Sequence, residues 1–482
     1  MIPVPGFEGR RVAVFGLGRS GLTAARALTA GGALPVLWDD SVSSRMQAEA
    51  EGFAVEDLTT ADWSGFAALV LSPGAPLTHP KPHWTVDKAK AAGVEIVGDI
   101  ELFARAIAAL PEAERPAVVA ITGTNGKSTT TALIGWVLTQ AGMTVHVGGN
   151  IGIGVLALPA PTPGAVYVIE VSSYQLDLTK SFAPDVAILT NVSPDHLDRH
   201  GGMEGYVAAK ARIFQAMGRG GVALVGIDEE WGMTVAAQLK NQERLLVEIK
   251  TSNDSLDVDL GDLADADDPG DWVPKGLVEA KGRTLVFDRV LLVDLTQARS
   301  LPGRHNAQNA AFAYLAARYL GTDHDAVVQG LLTFPGLAHR MEQIGQLGRV
   351  KFVNDSKATN SDAARQALSS YERSFWIAGG RAKAGGIDDL EDLFPRVAEA
   401  FLIGEAAGPF AARLGDTPHR ICGDMAAAVK AAAEAAAATG RDEVVLLSPA
   451  AASFDQYPDF EARGEAFRAA VLALGSTPAS AS

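Results

Sequence analysis

Thr122-Gly123-Thr124-Asn125-Gly126-Lys127-Ser128-Thr129 decides how this chain is read. The apolar run Ala117 to Ile121 precedes it, and a helical stretch from about Ser128 to Thr139 follows. Glycines let a backbone wrap closely around a phosphate with several N–H groups turned inward, and the helix adds the positive end of its dipole. Lys127 supplies a mobile point charge for β- and γ-phosphates, and the hydroxyl of Ser128 or Thr129 suits magnesium. The usual motif carries a glycine where this chain has Ile121, so the loop is a shorter variant. A strand before it and a helix after it favour a nucleotide loop over a helix N-terminus without a ligand.

Downstream, a magnesium ion on nucleotide phosphates needs further hard oxygen ligands. Glu170 closes the apolar strand Val166-Tyr167-Val168-Ile169-Glu170 and admits two readings, a metal ligand or a carboxylate facing water. After a further strand, Val186 to Thr190, comes Asn191-Val192-Ser193-Pro194-Asp195-His196-Leu197-Asp198-Arg199-His200. Ser193-Pro194 resembles an N-cap followed by proline at the first helical position, which places His196 and His200 on one helix face. A zinc pair is weighed there against a solvent-exposed pair. With no cysteine nearby and a phosphate loop upstream, magnesium is favoured. Lys210, in the predicted helix Tyr206 to Phe214, reads on its own as a surface lysine.

Upstream, Arg11 to Phe15 is a short buried-strand pattern, followed by Gly16-Leu17-Gly18-Arg19-Ser20-Gly21 and a helical stretch, Leu22 to Thr29. The strand Pro35 to Trp38 ends at Asp39-Asp40, and Ala68 to Leu71 ends at Ser72-Pro73-Gly74. This is the grammar of a doubly wound parallel sheet. Alone, the glycine spacing with Asp39 about twenty residues on suggests a dinucleotide fold, but the same helix end suits any diphosphate. Leu110 to Pro116 reads as a linker and Asp254 to Asp271 as an exposed acidic loop. Beyond Phe334-Pro335-Gly336, the strands Phe375 to Ala378, Phe401 to Ile403 and Val444 to Leu447 run into Gly379-Gly380, Gly404 and Ser448-Pro449. The expected fold is α/β with three domains in series. They are a Rossmann-like domain (1–111), a central P-loop ATPase-like domain (112–336) and a second Rossmann-like domain (337–482).

The 482 residues, 48% hydrophobic and 20% charged, suit a multidomain globular protein. A net charge of −16 argues against nucleic-acid or general membrane binding, since no basic stripe is available to neutralise phosphates. No apolar run approaches the roughly 20 residues of a membrane span, so no membrane insertion is expected. The single cysteine, Cys422, excludes an internal disulfide and fits a cytoplasmic setting.

Taken together, the motifs resemble the Mur ligases of peptidoglycan synthesis. The matching stretches are Gly123 to Ser128, Glu170 to Leu176, Asn191 to His196 with Asp198, Tyr206 to Lys210, His305 to Ala311 and Asn354 to Asn360. They come in family order and cover nearly the whole chain. Gly16 to Gly21, Ser72 to Gly74 and Ser448 to Gln456 are most similar to the branch that takes D-glutamate.

The resemblance implies ATP-dependent addition of D-glutamate to UDP-N-acetylmuramoyl-L-alanine through an acyl phosphate, by a monomeric enzyme using two Mg2+ ions. Gly123, Thr124, Asn125, Gly126, Lys127, Ser128 and Thr129, with Asn309, Arg340 and Asp355, would bind ATP. Ser128, Glu170, His196 and a carbamylated Lys210 would serve the metals, and Lys127, His196 and Lys210 the chemistry. Gly18, Arg19, Ser20, Asp39, Ser72, Pro73, Gly74 and Asn150 would bind the UDP-sugar. Lys357, Thr359, Lys383, Ser453 and Phe460 would bind D-glutamate. Two departures stand out: Asp40-Ser41 replaces the Thr-Arg of some members, and no proline precedes His339. The rival readings are a folate-polyglutamate ligase, which needs no glycine-turn first domain, a nucleotide switch, and a dehydrogenase.

Overall fold

The computed structural model describes all residues except 219, 253–263, 266–275, 299, 384 and 479–482. The predicted acidic loop 254–271 therefore lies outside the described residues, apart from the short strand Ala264–Asp265. The chain forms two compact units, Met1–Gln297 with Arg304–Leu332, and Ala298–Gly303 with Thr333–Ser482.

The first unit holds two sheets. One is wholly parallel, with strands in the spatial order Ala54–Val55, Leu34–Trp38, Arg11–Phe15, Phe66–Leu71, Glu95–Val97. The chain leaves Arg11–Phe15 toward one edge and later returns on its other side, so the order reverses between this strand and Phe66–Leu71. Such reversal points open a crevice at the carboxyl ends of the strands. The helix after the glycine turn spans Arg19–Ala30, three residues longer at its start than the sequence suggests, because Arg19, Ser20 and Gly21 already adopt helical geometry.

The second sheet is built around Ala117–Thr122, flanked by Val166–Glu170 and Val186–Leu189. Val145–Gly149 lies beyond the first neighbour, and Val222–Gly226 and Leu245–Ser252 beyond the second, all parallel. An antiparallel hairpin, Thr284–Phe287 with Val290–Asp294, extends this edge from Gly276–Lys281. The order reverses at Ala117–Thr122, where the phosphate-loop sequence begins. Its strands are apolar on both faces because helices cover both sides, which is why they read as unbroken hydrophobic runs.

The linker stretch carries a single 3-10 turn, Glu112–Glu114, and the Arg115 guanidinium donates to the Ala108 and Leu110 carbonyls. Among the described residues, no helix is long and apolar enough to cross a membrane.

The second unit has one sheet, ordered His419–Gly423, Val397–Ile403, Ser374–Gly379, Glu443–Leu447, Val350–Asn354, Glu342–Leu347, Thr477–Pro478. The first five are parallel and the last two antiparallel additions. The reversal falls at Glu443–Leu447, which lies between Ser374–Gly379 and Val350–Asn354.

Candidate active site

The phosphate loop leaves the buried strand Ala117–Thr122 and enters the helix Lys127–Gln140 through Gly126, whose φ of 81° makes it a left-handed cap. A Cβ at Gly126 would lie 2.6 Å from Asn309 Oδ1, and one at Gly123 would collide with the Thr190 hydroxyl. Both glycines are thus required by close approach as well as by φ. The neighbouring strand end holds the loop's shape. The Thr124 N–H donates to the Asn191 carbonyl (3.0 Å), the Asn125 N–H to Asn191 Oδ1 (2.9 Å), and the Thr190 hydroxyl to the Asn125 carbonyl (2.7 Å). Asn309 is buried, accepts from the Thr130 hydroxyl (3.1 Å) and donates to Asn306 Oδ1 (3.2 Å).

Lys127 Nζ donates to the Gly123 (3.0 Å) and Thr124 (2.8 Å) carbonyls. Lys210 Nζ donates to the same Gly123 carbonyl at 2.7 Å. The reading of Lys210 as a surface residue is overturned: it is 2% exposed, on the inner face of the helix Met203–Ala211, with its ammonium over the Tyr206 ring. Burial, with the adjacent Lys127 charge, holds its pKa well below the ordinary lysine value. Helical periodicity alone cannot tell a buried lysine from an exposed one, because the side chain is long enough to reach either environment.

Glu170 is 2% exposed, which resolves its two readings in favour of an inward carboxylate. Its Oε1 accepts from Asn150 Nδ2 (2.9 Å), while buried Oε2 finds no hydrogen-bond partner among the described residues. A buried carboxylate oxygen left this way costs free energy unless a cation or donor completes it. With the Ser128 hydroxyl at the first turn of the phosphate-loop helix, the donor set is hard oxygen and fits magnesium. Among the described residues, no group of three His, Cys, Asp or Glu side chains could hold a metal.

The expected helix start at Ser193-Pro194 is corrected. The helix is Leu197–His200, its N-cap is His196 at φ 53°, and Ser193 is engaged in the loop through its N–H donating to Thr124 Oγ1 (3.1 Å). His196 and His200 therefore do not share a helix face. His196 is exposed and packs on Tyr174 (ring centroids 5.0 Å apart). His200 is buried, with Nε2 3.0 Å from the Ser173 hydroxyl and Nδ1 3.2 Å from Asp177. The Ser193-Pro194 pair is held in the loop instead, where the Ser193 N–H meets the Thr124 hydroxyl, and the helix begins four residues later.

In the parallel sheet, Gly16 has φ 88°, and a Cβ there would collide with Ser72 Cβ, so the glycine turn and Ser72-Pro73-Gly74 meet at the reversal point. Asp39 braces the turn, accepting from the Leu17 N–H (2.6 Å) and the Ser41 N–H (2.8 Å). Gly18 caps the helix Arg19–Ala30 in an extended conformation, with nothing near its Cα face. Arg19 donates to the Gly152 carbonyl (2.9 Å), and Ser20 hydrogen-bonds Asp99. Arg199 donates to the carbonyls of Pro73 (3.3 Å) and Gly74 (3.1 Å). Asn150, expected at the sugar, spends its amide on Glu170 and so links the two sets.

Sequence reasoning passed over several residues here. Asn191, Thr190 and Tyr206 shape the phosphate loop. Buried Asp99, raised in pKa by desolvation, accepts from Gln175 Nε2 at 3.1 and 3.2 Å. The signal for Gln175 was the capping box Ser172-x-x-Gln175, which the structure forms.

In the second unit, Lys357, Thr359, Lys383, Ser453 and Phe460 all lie at or beyond the carboxyl ends of its central strands. Lys357 Nζ sits 3.8 Å above the Phe460 ring centre, Ser453 is buried, and Lys383 is exposed on its loop. Asp355 is buried, accepts from the Ser448 hydroxyl (2.9 Å), and is pushed up to about 7, chiefly by desolvation. The Arg340 charge opposes that shift.

Comparison with known proteins agrees with this geometry. Residues 121–317 match the Mur ligase middle domain, and 339–451 match the Mur ligase glutamate ligase domain. The UDP-N-acetylmuramoylalanine–D-glutamate ligase of Caulobacter sp. (strain K31) is 59% identical over 99% of both chains. That of Phenylobacterium zucineum (strain HLK1) is 57% identical over 100% of both. Among solved structures, the UDP-N-acetylmuramate-alanine ligase of Thermotoga maritima shares the fold with a TM-score of 0.57 at 16% identity, covering 96% of this chain and 99% of its own. A pseudomurein peptide ligase type C of Methanothermus fervidus does so at 0.55 and 18%, covering 97% and 100%. With both domain matches and full-length relatives at this identity, the chain belongs to the Mur ligase family.

Proposed function

We propose that this ligase joins D-glutamate to UDP-N-acetylmuramoyl-L-alanine in peptidoglycan precursor synthesis, cleaving ATP to ADP. The observation that carries the chemistry is the cluster at the central reversal point, where Lys127, Lys210, Ser128 and Glu170 surround one glycine loop. The full-length relatives carry the choice of acceptor.

A carboxylate reacts poorly with an amine because its leaving group is poor. Transfer of the γ-phosphoryl group to the alanyl carboxylate makes an acyl phosphate, the D-glutamate amine attacks its carbonyl carbon, and phosphate leaves. Two anions must approach, so positioning and positive charge dominate. Lys127 would face the β- and γ-phosphates at the start of the phosphate-loop helix. Ser128 and Glu170 would hold one magnesium ion, and His196 would help place a second. Bound magnesium supplies charge neutralisation and orientation of the phosphates.

The depressed pKa of Lys210 favours a neutral amine, which attacks carbon dioxide, loses a proton and becomes a carbamate. That would turn a buried amine into an anionic group suited to a metal ion. Asn309 in the first unit, and Arg340 and Asp355 in the second, are assigned to ATP. The crevice of Gly18, Arg19, Ser20, Asp39 and Ser72 to Gly74, with Asn150, is assigned to the UDP-sugar. Lys357 and Lys383 suit the two carboxylates of D-glutamate, with Thr359, Ser453 and Phe460 completing its site. The domain limits that go with this reading are 1–111, 112–336 and 337–482, and the enzyme works as a cytoplasmic monomer.

The test is ADP release with ATP, Mg2+, bicarbonate and UDP-N-acetylmuramoyl-L-alanine, adding D-glutamate, L-glutamate or other amino acids in turn. Release dependent on D-glutamate is expected. Release with a different amino acid overturns the acceptor, and no release from folded protein overturns the ligation.

A further inference from the structure

The helix Phe460–Ala473 turns Arg463, Phe467 and Val471 toward the sheet of the second unit, all buried. Two of these are ordinary core residues. Arg463 is 1% exposed, and a guanidinium is rarely so deeply buried unless its donors are satisfied. Its Nε donates to the Ser356 hydroxyl (3.0 Å) and Nη2 to the Ser356 carbonyl (2.8 Å). Nη1 donates to the Ala451 carbonyl (2.9 Å) and, more weakly, to the Gly379 carbonyl (3.4 Å).

Those acceptors lie on the three loops that leave Val350–Asn354, Ser374–Gly379 and Glu443–Leu447, the strands around the reversal point. Each loop carries residues assigned above to the acceptor amino acid: Lys357 and Thr359 on the first, Lys383 on the second, Ser453 on the third. The loops are also bound to one another, since Arg381 and Ala452 exchange backbone hydrogen bonds (2.8 and 2.9 Å). The Ser356 hydroxyl donates onward to the Phe460 carbonyl (2.8 Å), tying in the start of the helix.

We propose that Arg463 is the positioning residue of the acceptor amino-acid site, its planar fork setting the spacing of the three loops that carry Lys357, Lys383 and Ser453. This rests on the assignment of those residues to the acceptor. A lysine cannot replace it, because one ammonium cannot reach three divergent carbonyls and a hydroxyl at once. Burial lowers Arg463 to about 10, so the group stays charged at neutral pH and adds positive potential behind a site for a dicarboxylate.

The experiment compares wild type, Arg463→Lys and Ser356→Ala, the last removing the hydroxyl that accepts from Arg463 Nε and donates to the Phe460 carbonyl. Steady-state ADP release is measured against each substrate, beside thermal melting and hydrogen exchange of peptides covering 354–360, 379–383 and 449–454. Arg463→Lys is expected to raise KM for the acceptor about 10- to 100-fold, and Ser356→Ala about 3- to 10-fold, with KM for the UDP-substrate unchanged. Exchange should quicken in the three loops and not in the first unit.

A lower melting temperature with unchanged acceptor KM and unchanged loop exchange overturns the proposal, as does an equal rise in both KM values. If Arg463→Lys fails to fold, Ser356→Ala decides by the same readings. If wild type uses an amino acid other than D-glutamate, the same KM comparison on that amino acid tests Arg463, while the acceptor assignment falls. If no amino acid supports turnover, calorimetric binding of D-glutamate decides instead: weaker binding to Arg463→Lys than to wild type supports the proposal, and equal binding, or none to wild type, overturns it.

Discussion

Two glycine turns in the first unit perform the same backbone manoeuvre and end in different chemistry. Gly16 to Gly21 and Gly123 to Lys127 each leave a buried parallel strand at a reversal point, take positive φ at a glycine, and open a helix. The first is braced by a carboxylate, Asp39, and has no lysine. The second is braced by the neutral Asn191 and carries Lys127, with Lys210 on the same carbonyl. A helix end can hold a diphosphate. Moving a phosphoryl group takes added positive charge and a metal ligand, and only the second turn has Lys127 and Glu170 beside it. Backbone geometry is alike in the two turns, and the side chains around them differ.

The largest expected effect breaks that difference directly. Lys127→Ala should lower turnover by about 10³-fold or more while leaving the melting temperature near wild type, because the helix end remains and the charge at the transferring phosphoryl is lost. Retained turnover in the ADP assay would place the reactive centre elsewhere.

The two turns can next be disturbed equally. Gly126→Ala forces a side chain into φ 81° and against Asn309, and should cost about 10²-fold in kcat/KM for ATP. Gly16→Ala meets φ 88° and Ser72, and should raise KM for the UDP-substrate about 10-fold with KM for ATP near wild type. If both variants affected the same substrate, the division of labour between the turns would be wrong.

The smallest effects are in stability against pH, where the units differ in sign. In the second unit Asp355, pushed up to about 7 by burial, keeps its proton where an unfolded carboxyl near 3.8 has lost it. The native state then binds more protons, so stability falls as pH rises from about 4 to about 7 and levels off above. Asp355→Asn should flatten that slope in urea titrations.

In the first unit Glu95, lowered to about 2 mainly by its hydrogen bond with Arg105, contributes stability that is complete above its ordinary 4.5 and is lost as pH falls through about 2. Glu95→Gln should remove part of the acid-induced loss. Exposure limits the size of this term.

Much of the scaffold was legible in the sequence. The strands Arg11–Phe15 and Val166–Glu170 lie where their apolar runs place them, since a strand covered on both faces must be apolar throughout. Gly16, Gly123 and Gly126 announced positive φ, because few other residues tolerate it. The start of the helix at Leu197 was not legible, since Ser193 is bound to Thr124, 69 residues away in the chain, and the helix is capped by His196 at positive φ. Lys210 read as a surface lysine, and nothing local marks either it or Arg463 as buried.

The sequence by itself determined the strands, the turns and the membership of a ligase family, because hydrophobic period and glycine placement act over a few residues. Tertiary structure decided which charges are buried. It turned Lys210 onto the Gly123 carbonyl, left Glu170 Oε2 without a protein partner among the described residues, and set Arg463 beneath three loops. Burial of a charge depends on what distant segments pack over it, and desolvation makes each such position costly unless a partner completes it.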